Sequence, residues 1–564
     1  MKSDPLILQA LCERGLAAHQ AGRLDEATGL YKKVLRRNPK HPDALHLLGV
    51  ISVQTGQLER GSQLLRQAVR ANPSFAAAHS HLAMALWKLD RPGEALASYD
   101  AAIALRPDFA EAHDSRGVVL TALRRPEEAL VSHDVALALR PGDADAHYNR
   151  GVALGALKRP EEALVSHEAA IALNPGHAMA HHNRGVALAE IRRSGEALAS
   201  YDRAISLKPD YVEAFSNRGI LLLQQRLDRQ ALETFDAAIA LEPDHVDAHF
   251  NRSLALLSMG ELGAGFAEYR WRLRLARFRD ALPALPYPMW EGQSLSGASI
   301  LVRCEQGFGD SLHFIRYARL LAAMGARVTV LAQPALVSLF RSVPDIEVRD
   351  SLGEAAFDFH VPLMCLPRLL GTTLETVPAE VPYLFAEADK VDHWAKRLSD
   401  LGAGTKVGLV WAGDSRRHDP DANATDRRRS LTLAQFAPLG RVPGVHLVSL
   451  QKGEPAEQTL CPPDGLRICD MTADLNDFSD TAALVANLDL VITVDTSVAH
   501  LTGALGKPVW ILSRFDGCWR WLNGREDSPW YPTARLFHQQ APGDWDEVIA
   551  RVAAALATFS VAQP

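Results

Sequence analysis

The chain has 564 residues, of which 23% are charged and 47% are hydrophobic, and its formal net charge is −7. This length is too great for a single hydrophobic core, so we expect two or three domains of ordinary soluble composition. The mild negative charge argues against nucleic-acid binding, which requires a basic surface.

Targeting and redox features of the sequence point to the cytoplasm. No apolar run reaches the roughly 18 residues of a membrane helix, and the first 13 residues lack the apolar region of a signal peptide. The six cysteines are irregularly spaced and form no CxxC pair. We therefore expect free thiols in a cytoplasmic protein.

Proline recurs every 34 residues in the first half of the chain, at Pro39, Pro73, Pro107, Pro141, Pro175, Pro209 and Pro243. In the same register, most repeats carry a glycine and, twelve residues later, an alanine, as at Gly15 and Ala27. Small residues allow two helices to approach closely, and each proline can end a helix. The period and its positions resemble the tetratricopeptide repeat. This resemblance predicts an all-α solenoid over residues 1–280, with about seven repeats and a degenerate cap.

Histidine recurs at the fourth position of five repeats, at His79, His113, His147, His181 and His249. A spacing of 34 residues places each ring in a different repeat, and no second ligand lies one helical turn away. We therefore expect these histidines to pack within the repeats rather than to bind metal.

Asparagine occupies the sixth position of the later repeats, at Asn149, Asn183, Asn217 and Asn251. If the first helix of each repeat lines the concave face, these amides form a ladder that can hold a peptide backbone by donating and accepting hydrogen bonds. The alternative is that each amide ties adjacent repeats together. The O-linked N-acetylglucosamine transferase of animals has a similar ladder.

A proline-rich segment ends the repeats, and residues 281–297 are predicted to form a linker. Beyond it, apolar strand-like segments alternate with helical ones, first at residues 299–304 and 327–331. A second strand–helix series begins at Lys406. This alternation predicts an α/β region of two doubly wound sheets. We place the N-terminal lobe at 298–386, an inter-lobe helix at 387–404, and a C-terminal lobe ending in a helix at 405–564.

Two turns in this region have the form of a phosphate-binding site, in which a strand is followed directly by a helix N-terminus. The first contains Gly307, Gly309 and Asp310. Its glycines allow close backbone approach, and Asp310 either faces the cleft or caps the helix, the more frequent use of aspartate at such a turn.

The second turn contains Asp495, Thr496 and Ser497, with His500 one helical turn further on. Its hydroxyls can bind phosphate, and His500 could turn toward the same ligand. By itself the pattern fits an ordinary strand-to-helix turn with a surface histidine equally well.

Taken together, the two turns resemble the heptosyltransferase group, glycosyltransferase family 9. Bacterial proteins that fuse tetratricopeptide repeats to such a domain resemble this chain still more closely. Shared phrases include Glu305–Asp310, Ser449–Gly453, Arg520–Leu522 and Ser528–Pro532. The resemblance covers about residues 290–555 and implies a GT-B fold of two Rossmann-like lobes. It also implies an inverting, metal-independent glycosyltransferase that takes a nucleotide sugar as co-substrate and needs no cofactor.

The resemblance also implies roles for individual residues. Asp310 becomes the general base that deprotonates the acceptor hydroxyl. The donor diphosphate and sugar are assigned to the glycines and to the second turn: Gly307, Gly309, Asp495, Thr496, Ser497 and His500. Positive charge for the leaving diphosphate is assigned to Arg429 first, then Arg428, with Lys452 as a further candidate. The alternative for the two arginines is a solvated basic loop.

The sequence thus predicts a transferase whose repeats recruit a protein or peptide acceptor. The N-terminal lobe is short, about 90 residues, so acceptor binding is expected to involve the repeat groove with its asparagines. Two alternatives remain at this point. The chain could be a non-catalytic scaffold with a vestigial or sensory GT-B domain, or it could glycosylate a saccharide in cell-envelope synthesis.

Overall fold

The computed structural model describes residues 5–280, 282–353, 355–415, 417 and 419–559. The first four residues, Ala281 of the predicted linker and the last five residues of the predicted C-terminal lobe lie outside these ranges. The chain forms two compact units, residues 1–217 and 218–564.

The first unit is entirely helical in its described part, and successive helices form pairs joined by short turns. The helices are α1 (Pro5–Gln20), α2 (Leu24–Arg37), α3 (Pro42–Gln54), α4 (Leu58–Ala71), α5 (Ala76–Lys88), α6 (Pro92–Leu105), α7 (Ala110–Ala122), α8 (Pro126–Leu139), α9 (Ala144–Ala156), α10 (Pro160–Leu173), α11 (Ala178–Glu190), α12 (Ser194–Leu207) and α13 (Val212–Gln224), the last of which continues into the second unit.

The recurrent glycine lies where the two helices of a repeat touch. A Cβ atom on Gly15 would lie 2.5 Å from the ring of Tyr31, which is fully buried. In α7 and α9 the equivalent glycines face His133 and His167, buried histidines that replace the usual aromatic ring. The small residue is therefore required by the ring that it faces.

The recurrent histidines at the fourth position tie each repeat to the preceding one. The Nε2 of His79 lies 3.0 Å from the carbonyl oxygen of Pro73, six residues earlier. The same bond joins His113 to Pro107, His147 to Pro141 and His181 to Pro175. At the junctions that carry this histidine, the 34-residue proline and the histidine thus act as one hydrogen-bonded pair.

The second unit begins with the last repeats, which share a hydrophobic core with the α/β region. Its first helices are α14 (Asp228–Leu241), α15 (Val246–Ser258), α16 (Leu262–Tyr269) and α17 (Ala276–Arg279), with a 3₁₀ turn at Arg270–Arg274. Phe266 of α16 packs edge-to-face on Phe314, with ring centroids 6.4 Å apart. The repeats after residue 217 therefore belong to the same compact unit as the sheets.

The first sheet has four parallel strands in the order β3-β2-β1-β4. Its elements in chain order are β1 (Ser299–Arg303), α18 (Phe308–Phe314), α19 (Arg316–Ala323), β2 (Arg327–Leu331), α20 (Pro334–Phe340), β3 (Ile346–Arg349), β4 (Phe359–Pro362), α21 (Leu366–Leu369) and the bridging helix α22 (Ala388–Ser399).

The second sheet has six parallel strands in the order β10-β9-β8-β5-β6-β7. Its elements are β5 (Thr405–Val410), α23 (Pro420–Arg429), β6 (Val445–Ser449), β7 (Ile468–Asp470), α24 (Phe478–Ala486), β8 (Leu490–Val494), α25 (Ser497–Ala504), β9 (Val509–Ser513), β10 (Ala534–His538) and α26 (Trp545–Ala557).

The strands expected from apolar runs lie within a residue or two of their predicted positions. All residues of β8 and β9 are buried, as parallel strands covered on both faces should be. Two elements are seen only in the structure. The helical segment after Asp310 is divided into α18 and α19 at Ile315, and Arg428 and Arg429, for which a solvated basic loop was the alternative, belong to α23. The short strands β7 and β10 had no recognisable apolar run.

All six cysteines belong to the described part of the chain and are free thiols, as expected. Within that part, no helix is long and apolar enough to cross a membrane.

Candidate functional site

Several of the candidate residues lie at the carboxyl ends of the parallel strands of the second unit. In the six-stranded sheet, β5 leads outward to β6 and β7, whereas β8 leads outward to β9 and β10 on the other side. The loops after β5 and β8 therefore diverge at a topological switch point, where open α/β sheets bind ligands. Asp495 follows β8 directly, and α23 lies in the loop after β5.

The two turns singled out in the sequence lie against each other, because α18 packs on α25. A Cβ atom on Gly309 would lie 3.0 Å from the ring of His500 and 3.6 Å from the Cα of Ser497. Gly309 thus permits the contact between the two helices. Gly307 is the N-cap of α18 in extended backbone geometry.

Asp310 is the third residue of α18 rather than its N-cap. One carboxylate oxygen accepts a hydrogen bond from the Gly307 N–H at 3.2 Å. The other forms an ion pair with Arg520, 210 residues further along the chain. The Asp310 side chain is 20% exposed and the Arg520 side chain 11%. Asp310 therefore both braces the helix start and holds a buried cation.

Arg520 lies in a shielded pocket of mixed character. Its guanidinium carbon is 4.3 Å from the ring centroid of Trp519, and Nη1 is 3.1 Å from the Cys518 sulfur. The Nε atom is buried and has no hydrogen-bond partner in the described part of the chain. Burial by itself would lower the pKa of Arg520, but the charges of Asp310, Cys518 and Tyr269 keep that pKa above its usual value.

His500 is buried and forms part of the contact between helices. Its Nδ1 lies 3.1 Å from Nδ1 of His313 and 3.1 Å from the Tyr531 hydroxyl, and its ring stacks on Trp521. Burial lowers the pKa of His500 to about 3, and the nearby Arg520 charge acts in the same direction. At neutral pH His500 is an uncharged ring within the packed core.

The second predicted turn is held by one of the predicted arginines. Nη1 of Arg429 donates to the backbone carbonyl of Asp495 at 2.8 Å, and Arg429 also pairs with Asp426 at 3.0 Å. Arg428, the second candidate, pairs with Asp516 at 3.1 Å. These arginines belong to a folded ion-pair cluster at the switch point, not to a solvated loop.

Asp495 lies among positive charges. Burial raises its pKa, but the neighbouring His500 ring and the charges of Arg429, Arg514 and Arg520 outweigh this effect, so the pKa of Asp495 is below its usual value. A carboxylate that stays ionised here offsets part of the local positive charge.

Thr496 is the N-cap of α25, but its hydroxyl makes no capping hydrogen bond. Instead its Oγ1 lies 3.0 Å from that of Thr493. Ser497 is the first residue of α25, and its Cα faces Gly309. Ser497 therefore lies at the contact between the two turns, whereas the Thr496 hydroxyl bonds within its own strand and turn.

Lys452 follows β6, where its ammonium donates to the carbonyl oxygens of Thr472 and Leu475, each at 2.9 Å. These bonds link the loop after β6 to the loop after β7. The Lys452 charge is thus already engaged by backbone carbonyls.

The predicted asparagines of the first unit bond to side chains of their own or the preceding repeat. In the first unit, Asn149 donates to Asp114 of the preceding repeat at 3.0 Å, and Asn217 lies 2.9 Å from His182 of the preceding repeat. Asn183 contacts His182, its own neighbour, at 3.0 Å. Asn251 belongs to the second unit, where it is half-buried. These bonds fit the alternative that the amides tie repeats together, while a peptide-binding ladder remains a prediction.

Four residues of this site were given no role by sequence reasoning: Arg520, Arg514, His313 and Tyr531. The signal for Arg520 was its position between Trp519 and Trp521, because a cation flanked by two tryptophans is typical of a shielded arginine. The others carry no local pattern. Among the described residues, no group of three or more histidine, cysteine, aspartate or glutamate side chains could hold a metal ion.

Comparison with known proteins defines the class of the first half of the chain. Tetratricopeptide repeat family models match residues 18–84, 81–133, 144–177, 194–225 and 216–270. The chain thus carries tetratricopeptide repeats across its N-terminal 270 or so residues, followed by an α/β region with parallel sheets.

Among curated proteins, the chain is similar to protein FlbA of Caulobacter vibrioides, with 30% identity over 340 residues that cover 54% of each chain. The chain thus spans about half the length of this curated relative. Among solved structures it is similar to YrrB, described as a TPR protein with an unusual peptide-binding site (28% identity, 33% of this chain, 96% of that chain, TM-score 0.29). It is also similar to PilF of Pseudomonas aeruginosa (23% identity, 37% of this chain, 94% of that chain, TM-score 0.34).

Proposed function

We propose that this chain is an inverting glycosyltransferase that moves a sugar from a nucleotide-diphosphate donor to an acceptor recruited by the repeats. The observation that carries the proposal is the contact between the α18 and α25 turns. That contact joins Asp310 and the Asp495 turn, 185 residues apart in the sequence, at one site. The two sheets then correspond to the lobes of a GT-B fold.

The chemistry requires a base on one side and positive charge on the other. Asp310 accepts the proton of an acceptor hydroxyl as the hydroxyl oxygen attacks the anomeric carbon of the donor sugar. The bond from that carbon to the diphosphate oxygen breaks, and the electron pair leaves with the diphosphate. Arg429 contacts the Asp495 turn, and its neighbour Arg428 pairs with Asp516. Preorganised cations of this kind stabilise the developing charge.

The repeats supply the acceptor in this proposal. Tetratricopeptide repeats are protein-interaction modules, which favours a protein or peptide over a free saccharide. The last repeats share a core with the α/β region, so an acceptor bound to residues 218–280 is held by the same compact unit as Asp310.

A second candidate is a non-catalytic scaffold whose α/β region senses a nucleotide sugar. The ion pair between Asp310 and Arg520 favours it, because a guanidinium already occupies the carboxylate oxygen that an acceptor hydroxyl would have to contact. The two candidates differ in turnover, not in nucleotide binding.

The test is a thermal-shift panel of UDP, GDP, ADP and CDP and their sugar conjugates, followed by a hydrolysis assay with each ligand that stabilises the protein. We expect stabilisation by one nucleotide class, slow release of its sugar to water, and loss of that release in Asp310→Asn with donor binding retained. Stabilisation without turnover would support the nucleotide-sugar sensor. If no ligand raised the melting temperature, both the transferase and the sensor would be ruled out.

A further inference from the structure

We propose that Arg520 binds the donor diphosphate and that its ion pair with Asp310 is the resting state of the empty site. Donor must then bind before Asp310 can act as the base. This inference rests on the proposed function and assigns to the site a ligand residue that neither its sequence pattern nor the proposal above includes.

The position of Arg520 is suitable for binding an anionic ligand. Its side chain pairs with Asp310 of the α18 turn, and α18 packs on α25, the helix that follows Asp495. It is therefore placed where the α18 and α25 turns meet. Its Nε donor is buried without a partner in the described part of the chain, and such an unmet donor is costly unless a ligand satisfies it.

The surroundings of Arg520 hold the side chain ready to exchange partners. The Trp519 ring packs against the Arg520 guanidinium. The same ring also packs on Phe266 and Tyr269 of the last repeat. Because that support does not involve Asp310, Arg520 can release the carboxylate and remain in place. A guanidinium binds phosphate oxygens through two parallel hydrogen bonds, and a diphosphate carries more charge than one carboxylate.

The exchange has a direct chemical consequence. When the diphosphate binds Arg520, the Asp310 carboxylate is released from its ion pair, and the oxygen that Arg520 had occupied becomes available to an acceptor hydroxyl. It can then remove the proton of the acceptor hydroxyl as the new bond to the anomeric carbon forms and the bond to the diphosphate breaks. Without donor, Asp310 stays paired and the acceptor is not activated.

The test is a double-variant cycle on the full chain, with dissociation constants for pyrophosphate and for the stabilising nucleoside diphosphate measured by calorimetry. The variants are Arg520→Gln, Asp310→Asn and both together. We expect Arg520→Gln to weaken binding about tenfold or more and Asp310→Asn to tighten it about threefold or more, since the competing carboxylate is gone. The gain from Asp310→Asn should vanish in the Arg520→Gln background.

Matched controls come from a nearby exposed pair. Arg525 and Asp527 form an ion pair with side chains 36% and 70% exposed. Arg525→Gln and Asp527→Asn make the same charge changes and should leave both dissociation constants unchanged. If Asp527→Asn tightens binding as much as Asp310→Asn does, the gain is a general charge effect and the inference is wrong.

Failure of the inference can be distinguished from failure of the proposed function. If the unmodified protein binds no nucleoside diphosphate, the transferase itself is excluded. If it binds one and the Asp310→Asn gain persists in the double variant, only the role of Arg520 is overturned. Should Arg520→Gln fail to fold, Arg520→Lys replaces it in the cycle. Lysine keeps the charge but not the paired donors, so Arg520→Lys should still weaken binding, and unchanged affinity would overturn the inference.

Discussion

Arg272 and Glu305 form an ion pair of 2.7 Å in which each side chain is 1% exposed. Arg272 follows α16 of the last repeat, and Glu305 lies in the turn between β1 and α18 that leads to Asp310. Arg272 also contacts the Cys365 sulfur, and Glu305 accepts from the Met364 N–H. The last repeat is thus joined to the turn of the candidate site by a charge pair removed from water.

We predict that Arg272→Met destabilises the second unit by about 3–5 kcal/mol, because it leaves the Glu305 carboxylate buried without its counter-ion. Nine of the ten tryptophans lie after residue 217, so tryptophan fluorescence during urea unfolding reports on this unit. Arg274→Gln breaks an exposed pair with Asp244 and should change the free energy of unfolding by less than about 1 kcal/mol. Equal effects of the two variants would mean that burial of the pair does not matter.

The contact between α18 and α25 predicts a cost for Gly309→Ala. The new Cβ would lie 3.0 Å from the His500 ring, which cannot move easily because His313, Tyr531 and Trp521 hold it. We expect a loss of about 1–3 kcal/mol from overpacking, measured by the same fluorescence assay.

The control for this variant is Gly263→Ala in α16. A Cβ there meets nothing within 4 Å, so the variant should gain about 0.5–1 kcal/mol from helix propensity alone. If Gly309→Ala is also stabilising, the two turns are not in the close contact described.

The first unit should lose stability in mild acid because of its buried histidines. Burial lowers the pKa of His46 to about 4 and that of His167 to about 4. In the unfolded chain each titrates near its usual value of 6.5, so the unfolded state takes up protons first as the pH falls. Their contribution is complete above pH 6.5 and is lost between pH 6.5 and 4, by up to roughly 3 kcal/mol for each ring.

The variant that checks this is His167→Phe, since Phe235 and Tyr201 occupy the equivalent position opposite a glycine in other repeats. It should flatten the loss of stability between pH 6.5 and 4, measured as hydrogen exchange of peptides from α9 and α10. His393→Gln, at an exposed position, should leave that exchange unaltered. Unchanged acid sensitivity in His167→Phe would show that another group causes it.

Arg429 and Lys452 were both expected to bind the donor diphosphate, but their contacts in the structure differ. Arg429 lies on the Asp495 turn, whereas the Lys452 ammonium is held by two carbonyls. We predict that Arg429→Gln weakens nucleoside diphosphate binding about tenfold. Lys452→Gln should lower the melting temperature but leave the dissociation constant of the folded protein unchanged. The opposite result would restore Lys452 as the phosphate ligand.

Much of this architecture follows from patterns that act over short stretches of chain. The 34-residue period requires only that each helix pair pack on the next, so the repeats could be recognised from one proline, one glycine and one alanine per repeat. The strand β2 was predicted at its observed limits, because its short run of β-branched and apolar residues lies between two helical segments. The Asp310 and Asp495 turns were also recognisable, since each joins such a strand to a helix.

The partners of those turns were decided only by the tertiary structure. Asp310 meets Arg520, which lies 210 positions further along the chain, and nothing in the local spacing of either residue encodes that pairing. Likewise, the recurrent histidines were expected to pack, but only the folded repeats show that they donate to the proline carbonyls. Sequence periodicity determined which segments form helices, strands and turns, because those depend on near neighbours. The sheet order and the packing of α18 on α25 determined which charges meet, because those depend on contacts between distant segments.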